Sequence, residues 1–237
     1  MYLITRPLPK LATTSQAFAN NGLTACVVAL HDIQIIDHAI IELRAWLTAH
    51  PQGTLIVTST AAAEPLIAHC APLLSQCQLI TVGKSTAQIL QQAALLTIVP
   101  EQENSEGVLA LAPLNDCADQ RILLLKGKGG RNVIDQELLN RGARLSVIDL
   151  YQRVPLSAPV YSQTPCWSDI HGVIATSGEQ AQALINKFNT QPLANFRWLT
   201  VSERIANQLR QQGIRHVNIC PKANNESLIA WIQQNWE

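Results

Sequence analysis

"TVGKSTAQIL", residues 81–90, returns 119 residues later as "TVSERIANQL", residues 200–209. Four further pairs keep the same order and nearly the same displacement: "LITR" at 3–6 with "LLLK" at 123–126, "NGLTACVVAL" at 21–30 with "RGARLSVIDL" at 141–150, "LIVTS" at 55–59 with "VIATS" at 173–177, and "TIVP" at 97–100 with "NICP" at 218–221. One match of this length is weak; five in register indicate an internal duplication. Each half repeats a single rhythm, a short apolar run, a turn and an amphipathic stretch, which is the signature of βα units on a parallel sheet.

Strands are expected near 2–5, 25–29, 54–57, 78–82, 96–99, 121–125, 145–149, 172–175, 197–200 and 216–219. They divide into an α/β fold of two similar lobes, each with a five-stranded parallel sheet flanked by helices. A chain of 237 residues accommodates two such lobes, and 47% hydrophobic residues with only 5% aromatics suit a core of Leu, Ile, Val and Ala. The stretches 30–37 and 150–165 leave the βα rhythm for an extended, alternating pattern, and Pro155, Pro159 and Pro165 exclude helix from much of the second. They are expected to be two extended connectors, 33–36 and 150–155. That makes residues 1–32 and 156–237 a discontinuous terminal lobe, and 37–149 a middle lobe inserted into it.

Composition narrows the chemistry. Seventeen cations balance 17 anions, which argues against a broad basic field for nucleic acid. "MYLITRPLPK" has no apolar stretch behind a basic flank, so neither export signal nor membrane span is expected, and a cytoplasmic location follows. Cys26, Cys70, Cys77, Cys117, Cys166 and Cys220 contain no Cys-x-x-Cys pair and read as free thiols, and the dispersed histidines predict no metal site.

In open α/β sheets, ligands bind outside the carboxyl ends of the strands. The polar residues expected there are Thr5, Arg6, Thr58, Ser59, Lys84, Ser85, Lys126, Lys128, Arg131, Thr176, Ser177, Ser202 and Arg204. Cations and hydroxyls with few carboxylates suit a polyanionic ligand held in a cleft between the lobes. Ser85 with Gln88 and Ser177 with Gln180 have capping-box spacing. "KGKGGR", 126–131, has glycines too close together for a nucleotide phosphate loop and no Ser or Thr after Lys128. It is expected to serve as an anion grip, with Lys126 and its repeat partner Arg6 supplying the cations.

These motifs resemble the uroporphyrinogen-III synthase family over nearly the whole chain: "LITRP" at 3–7, "VTS" at 57–59, "VGKSTA" at 82–87, "LLLKGKGGR" at 123–131, "RGA" at 141–143, "DLYQR" at 149–153, "ATS" at 175–177 and "VSERIA" at 201–206. The resemblance implies two α/β lobes joined by paired connectors, and a cofactor-free lyase of porphyrin and heme biosynthesis; a monomer is the default expectation. Its substrate would be hydroxymethylbilane, cyclised to uroporphyrinogen III with inversion of ring D through an azafulvene and a spiro intermediate. Tyr151 would be the proton donor, with Lys84, Ser59, Ser177, Lys126 and Arg131 as carboxylate grips and Arg153 facing the same way as Tyr151. Ile205 stands where relatives often carry threonine, so Ser202 is the nearby substitute donor. The alternative is a two-lobed, non-catalytic binding or sensor protein for a carboxylated small molecule. A glycosyl- or phosphoryl-transfer enzyme would need an acidic metal cluster at the strand ends, and the sequence offers none.

Overall fold

A computed structural model describes residues 1–129 and 132–237. In chain order the elements are β1 Tyr2–Thr5, α1 Leu11–Asn20, β2 Ala25–Ile35, α2 Asp37–Ala49, β3 Thr54–Val57, α3 Thr60–Cys70, β4 Gln78–Thr81, α4 Lys84–Gln92, β5 Thr97–Ile98, α5 Ser105–Leu109, α6 Ala112–Asn115, β6 Arg121–Gly127, α7 Val133–Asn140, β7 Arg144–Tyr161, β8 Gly172–Ala175, α8 Gly178–Phe188, α9 Thr190–Ala194, β9 Arg197–Thr200, α10 Glu203–Gln211, β10 Val217–Ile219 and α11 Asn225–Asn235. The chain forms two compact units, Met1–Ile33 with Val154–Glu237, and Gln34–Arg153.

In the discontinuous unit, β10, β9, β8, β1 and β2 lie side by side in parallel. Strand alternation sends successive side chains to opposite faces. Leu3, Cys26, Val28 and Val173 pack with Leu184, Ile185, Ile205 and Leu209 from α8 and α10. Tyr2, Ile4, Val27 and Ile174 pack on the other side with Phe18 of α1 and Leu228, Ile229 and Ile232 of α11. Four-residue strands buried on both faces read as unbroken apolar runs, which is why "YLIT" and "GVIA" show no polar alternation.

In the continuous unit the order is β7, β6, β3, β4, β5, again parallel. Ile56, Ile80, Ile122 and Leu124 meet Val108 and Leu109 of α5 and Ile134 and Leu138 of α7. The two orders correspond strand for strand, β1 with β6, β2 with β7, β8 with β3, β9 with β4 and β10 with β5. These are the same five pairs that the repeated segments link.

The expectation of two separate five-stranded sheets needs correction. Hydrogen bonding runs through ten strands, β10-β9-β8-β1-β2-β7-β6-β3-β4-β5. The reason is that the expected connectors are themselves strand: β2 reaches Ile35 and β7 runs for 18 residues to Tyr161. Within the continuous unit the Ile36 N–H donates to the Leu150 carbonyl, and within the other the Ser162 N–H donates to that of Val27. Pro155 and Pro159, which lack the ladder donor, fall in the second half of β7.

Candidate functional site

Tyr151 lies in β7, 4% exposed, immediately beyond a register slip against β6. Lys126 pairs with Asp149 but Gly127 pairs with Tyr151, so two steps of β7 pass for one of β6. Such a bulge re-aims the side chain that follows it. The phenol ring is laid directly on Gly127, where a Cβ would stand 2.5 Å from Cζ and 2.8 Å from the hydroxyl oxygen. Gly129, in the same turn, has φ of 78°, a left-handed conformation that glycine adopts without cost.

The phenol oxygen is met by a helix cap. Ser59 caps α3, its Oγ accepting from the Ala62 N–H at 3.3 Å, and its hydroxyl donates to the Tyr151 oxygen at 3.1 Å. The guanidinium carbon of Arg153 stands 5.8 Å from the centre of the Tyr151 ring, within cation–π range. Thr58, next to the cap, donates both its N–H and its hydroxyl to the Leu125 carbonyl, at 3.1 and 3.0 Å.

The two cations expected to act alike differ in their surroundings. The Lys126 ammonium donates to Asn132 Oδ1 and Asp135 Oδ2, both at 3.0 Å, so its charge is balanced in place. Arg6 is buried and donates to Thr176 Oγ1 at 2.6 Å and to the Ala223 carbonyl and Asn225 Oδ1 at 3.0 Å. All three acceptors are uncharged, and its Nε has no partner among the described residues. Burial pulls the guanidinium down to about 10 from its usual range. Arg131 and Gly130 lie outside the described residues.

The other expected residues sit at helix starts. Ser177 caps α8, accepting from the Gln180 N–H at 3.1 Å, while Gln180 Oε1 accepts from Thr5 Oγ1 at 3.3 Å. Ser202 caps α10, accepting from the N–H of the buried Ile205 at 3.4 Å. Ser85, expected as a cap, is not one. Helix α4 begins at Lys84 with Gly83 as its cap, and Glu103 Oε2 accepts the Lys84 N–H at 3.0 Å, supplying the acceptor that the Ser85 hydroxyl would otherwise provide. Ser85, Lys84 and Arg204 are exposed. Arg204 lines a cavity of about 370 Å³ with His31, Glu179, Gln182 and Gln208.

Three features were missed by sequence reasoning. Gly127 seats a ring, a role visible only once β6 and β7 are paired. Asp135 neutralises Lys126 from the first turn of α7; its place nine residues on, within that turn, was the available signal. His31 occupies the place of Tyr151 in the other repeat, since 151 less 120 is 31.

Among the described residues no three His, Cys, Asp or Glu side chains converge as a metal site. No helix among them is long and apolar enough to cross a membrane. The six cysteines are unpaired; Cys26, Cys70, Cys117 and Cys220 are buried and Cys166 is exposed.

A family model for uroporphyrinogen-III synthase HemD matches residues 12–230. The chain belongs to the uroporphyrinogen-III synthase family. Members named uroporphyrinogen-III synthase from Escherichia coli (strain K12) and Salmonella typhimurium are each 31% identical over 160 residues, 64% of this chain. The matched stretch spans 65% of the length of either relative. Crystal structures carrying the family's name share the fold: that from Helicobacter pylori at a TM-score of 0.62 and 17% identity, and a mutant form from Thermus thermophilus at 0.59 and 16%, each covering 98% of both chains.

Proposed function

We propose that the chain is a uroporphyrinogen-III synthase, a cofactor-free lyase that closes hydroxymethylbilane into uroporphyrinogen III with ring D inverted and releases water. Membership of the family supports this, and the observation that carries it is the seat of Tyr151: a buried phenol whose oxygen already accepts from Ser59. Because Ser59 supplies the proton of that bond, the phenol's own hydrogen is left for an incoming oxygen. A phenol is protonated at neutral pH and can act as a general acid.

In this reading Tyr151 protonates the terminal hydroxyl as it departs, giving water and an azafulvene cation. The substituted carbon of ring D attacks that cation to give the spiro intermediate, which fragments and recloses at the ring's free carbon. The proton lost from that carbon on reclosure balances the one Tyr151 gave, so the phenol is regenerated. The harder demand is positional, since spontaneous closure at the free carbon gives the uninverted isomer.

Substrate acetates and propionates are met by the turns at the carboxyl ends of the strands in each unit. Exposed Lys84 and Arg204 offer charge, and the starts of α3, α4, α8 and α10 offer N–H groups beside Ser59, Ser85, Ser177 and Ser202. Thr5, Thr58 and Arg6 stand behind this row and hold its turns in place, while Lys126, tied to Asp135, retains one of its three protons for a carboxylate. Arg131 completes the proposed set. The enzyme is proposed to work as a cytoplasmic monomer, without nucleic acid or membrane. Incubation with freshly generated hydroxymethylbilane is expected to give the type III isomer; a product ratio equal to the spontaneous, type I-dominated one would reject the assignment.

A further inference from the structure

We propose that Ser59 is a positioning residue for Tyr151 and not a carboxylate grip. Three observations carry this. The Ser59 Oγ is held from behind by the Ala62 N–H at the start of α3, an 11-residue helix. Its hydroxyl donates to the phenol oxygen at 3.1 Å. Gly127 removes any side chain from beneath the ring, so the phenol can reach the cap.

The direction of the chain of hydrogen bonds matters. It runs from the Ala62 N–H to Ser59 and from Ser59 to the phenol oxygen, so every donor points toward Tyr151. A phenol that accepts in this way keeps its own proton outward and has its conjugate anion stabilised by the hydroxyl and by the positive end of α3. No acidic residue occupies the first turn of α3. From β7 itself Arg153 faces the ring, and on β6 the nearest charge, Lys126, is paired with Asp135. The cap of α8, Ser177, is the repeat counterpart of Ser59 and likewise accepts from its own helix. The counterpart of Tyr151 is His31, so the phenol contact belongs to one half of the duplication alone.

The catalytic consequence rests on the proposed function, but the positioning itself has a readout independent of activity. The chain has three tyrosines. Burial, reinforced by Glu237, raises Tyr2 to about 12, and burial raises Tyr161 as well. With ring-labelled tyrosine followed by NMR at neutral pH, and the Tyr151→Phe variant identifying the resonances, Ser59→Ala is expected to displace the Tyr151 ring signals, which report the lost hydrogen bond. Ser59→Gly, which retains a serviceable helix cap, is expected to give the same displacement and guards against loss of α3. Ser59→Thr is expected to restore the wild-type ring signals, and Ser177→Ala to leave them in place. In turnover, Ser59→Gly is expected to lower kcat about tenfold with KM within twofold. Unmoved Tyr151 ring signals in both Ser59→Ala and Ser59→Gly overturn the proposal, as does a raised KM with kcat intact, which would make Ser59 a substrate contact. A wild-type protein that forms no type III product would reject the enzyme assignment while leaving the Tyr151 ring signals to decide the positioning.

Discussion

Gly127 and Tyr151 approach so closely across β6 and β7 that a single methyl group on Gly127 would overlap the phenol ring, with Cε2 2.6 Å away. The glycines of "KGKGGR" suggest an anion loop when read in sequence. In the fold, the first of them is the floor beneath the proposed acid.

Gly127→Ala is therefore expected to push Tyr151 off Ser59. Overpacking of a close contact costs about 1–3 kcal/mol, measurable as a lowered urea midpoint. Turnover is expected to fall with it toward the level of Tyr151→Phe.

Tyr151→Phe removes the hydroxyl and keeps the ring over Gly127. The loss of a positioned acid predicts a fall in kcat of about 10²–10⁴, with KM little changed and stability within about 1 kcal/mol. Steady-state kinetics with isomer analysis checks this, and a wild-type kcat would remove Tyr151 from the mechanism.

Arg204→Ala and Lys84→Ala remove exposed charges that have room to meet a substrate carboxylate. A charge-assisted hydrogen bond contributes about 1.5–3 kcal/mol, so KM is expected to rise tenfold or more while kcat changes little. Unchanged KM in both variants would take these cations out of the grip.

Alkaline stability is expected to depend on Tyr2. Its folded pKa, raised to about 12 by burial and by the hydrogen bond to Glu237, lies above the ordinary value of 10. Between pH 10 and 12 the unfolded chain therefore loses this proton first, and stability falls as pH rises through that window. Tyr2→Phe is expected to show a shallower loss of Tm between pH 10 and 11.5 than the wild type. Parallel curves would exclude Tyr2 as the cause.

Chelators are expected to leave turnover intact, because among the described residues no group of side chains is arranged to hold a metal. Inactivation by a chelator with recovery on adding a divalent ion would refute a metal-free reaction.

Strand positions were legible because most of the short apolar runs are buried on both faces. "LIVT" at 55–58 and "VIAT" at 173–176 announce β3 and β8 without ambiguity. The extents of β2 and β7 were not, since a half-exposed strand, in β7 one that also carries two prolines, reads as a connector when nothing indicates its partner. In the site, Ser177 was legible as a helix start, where a hydroxyl before an amphipathic run has a local meaning, whereas the same spacing at Ser85 marks no cap. What escaped was everything decided by a distant partner: Asn225 accepting from Arg6, Glu103 relieving Ser85 of its cap, and Ser59 turning toward a tyrosine 92 residues away.

The pairing of β1 bears on how the chain is made. Tyr2 finds Ala25 on one side, only 23 residues further along the chain, but its other neighbour is Gly172. At about 5–20 residues per second the ribosome takes roughly 10–30 s to supply that second partner, and in the interval Gln34–Arg153, whose strands pair among themselves, is complete in sequence. Through that wait β1 carries an open edge, the kind that recruits foreign strands. At four residues it offers such a visitor very little to hold.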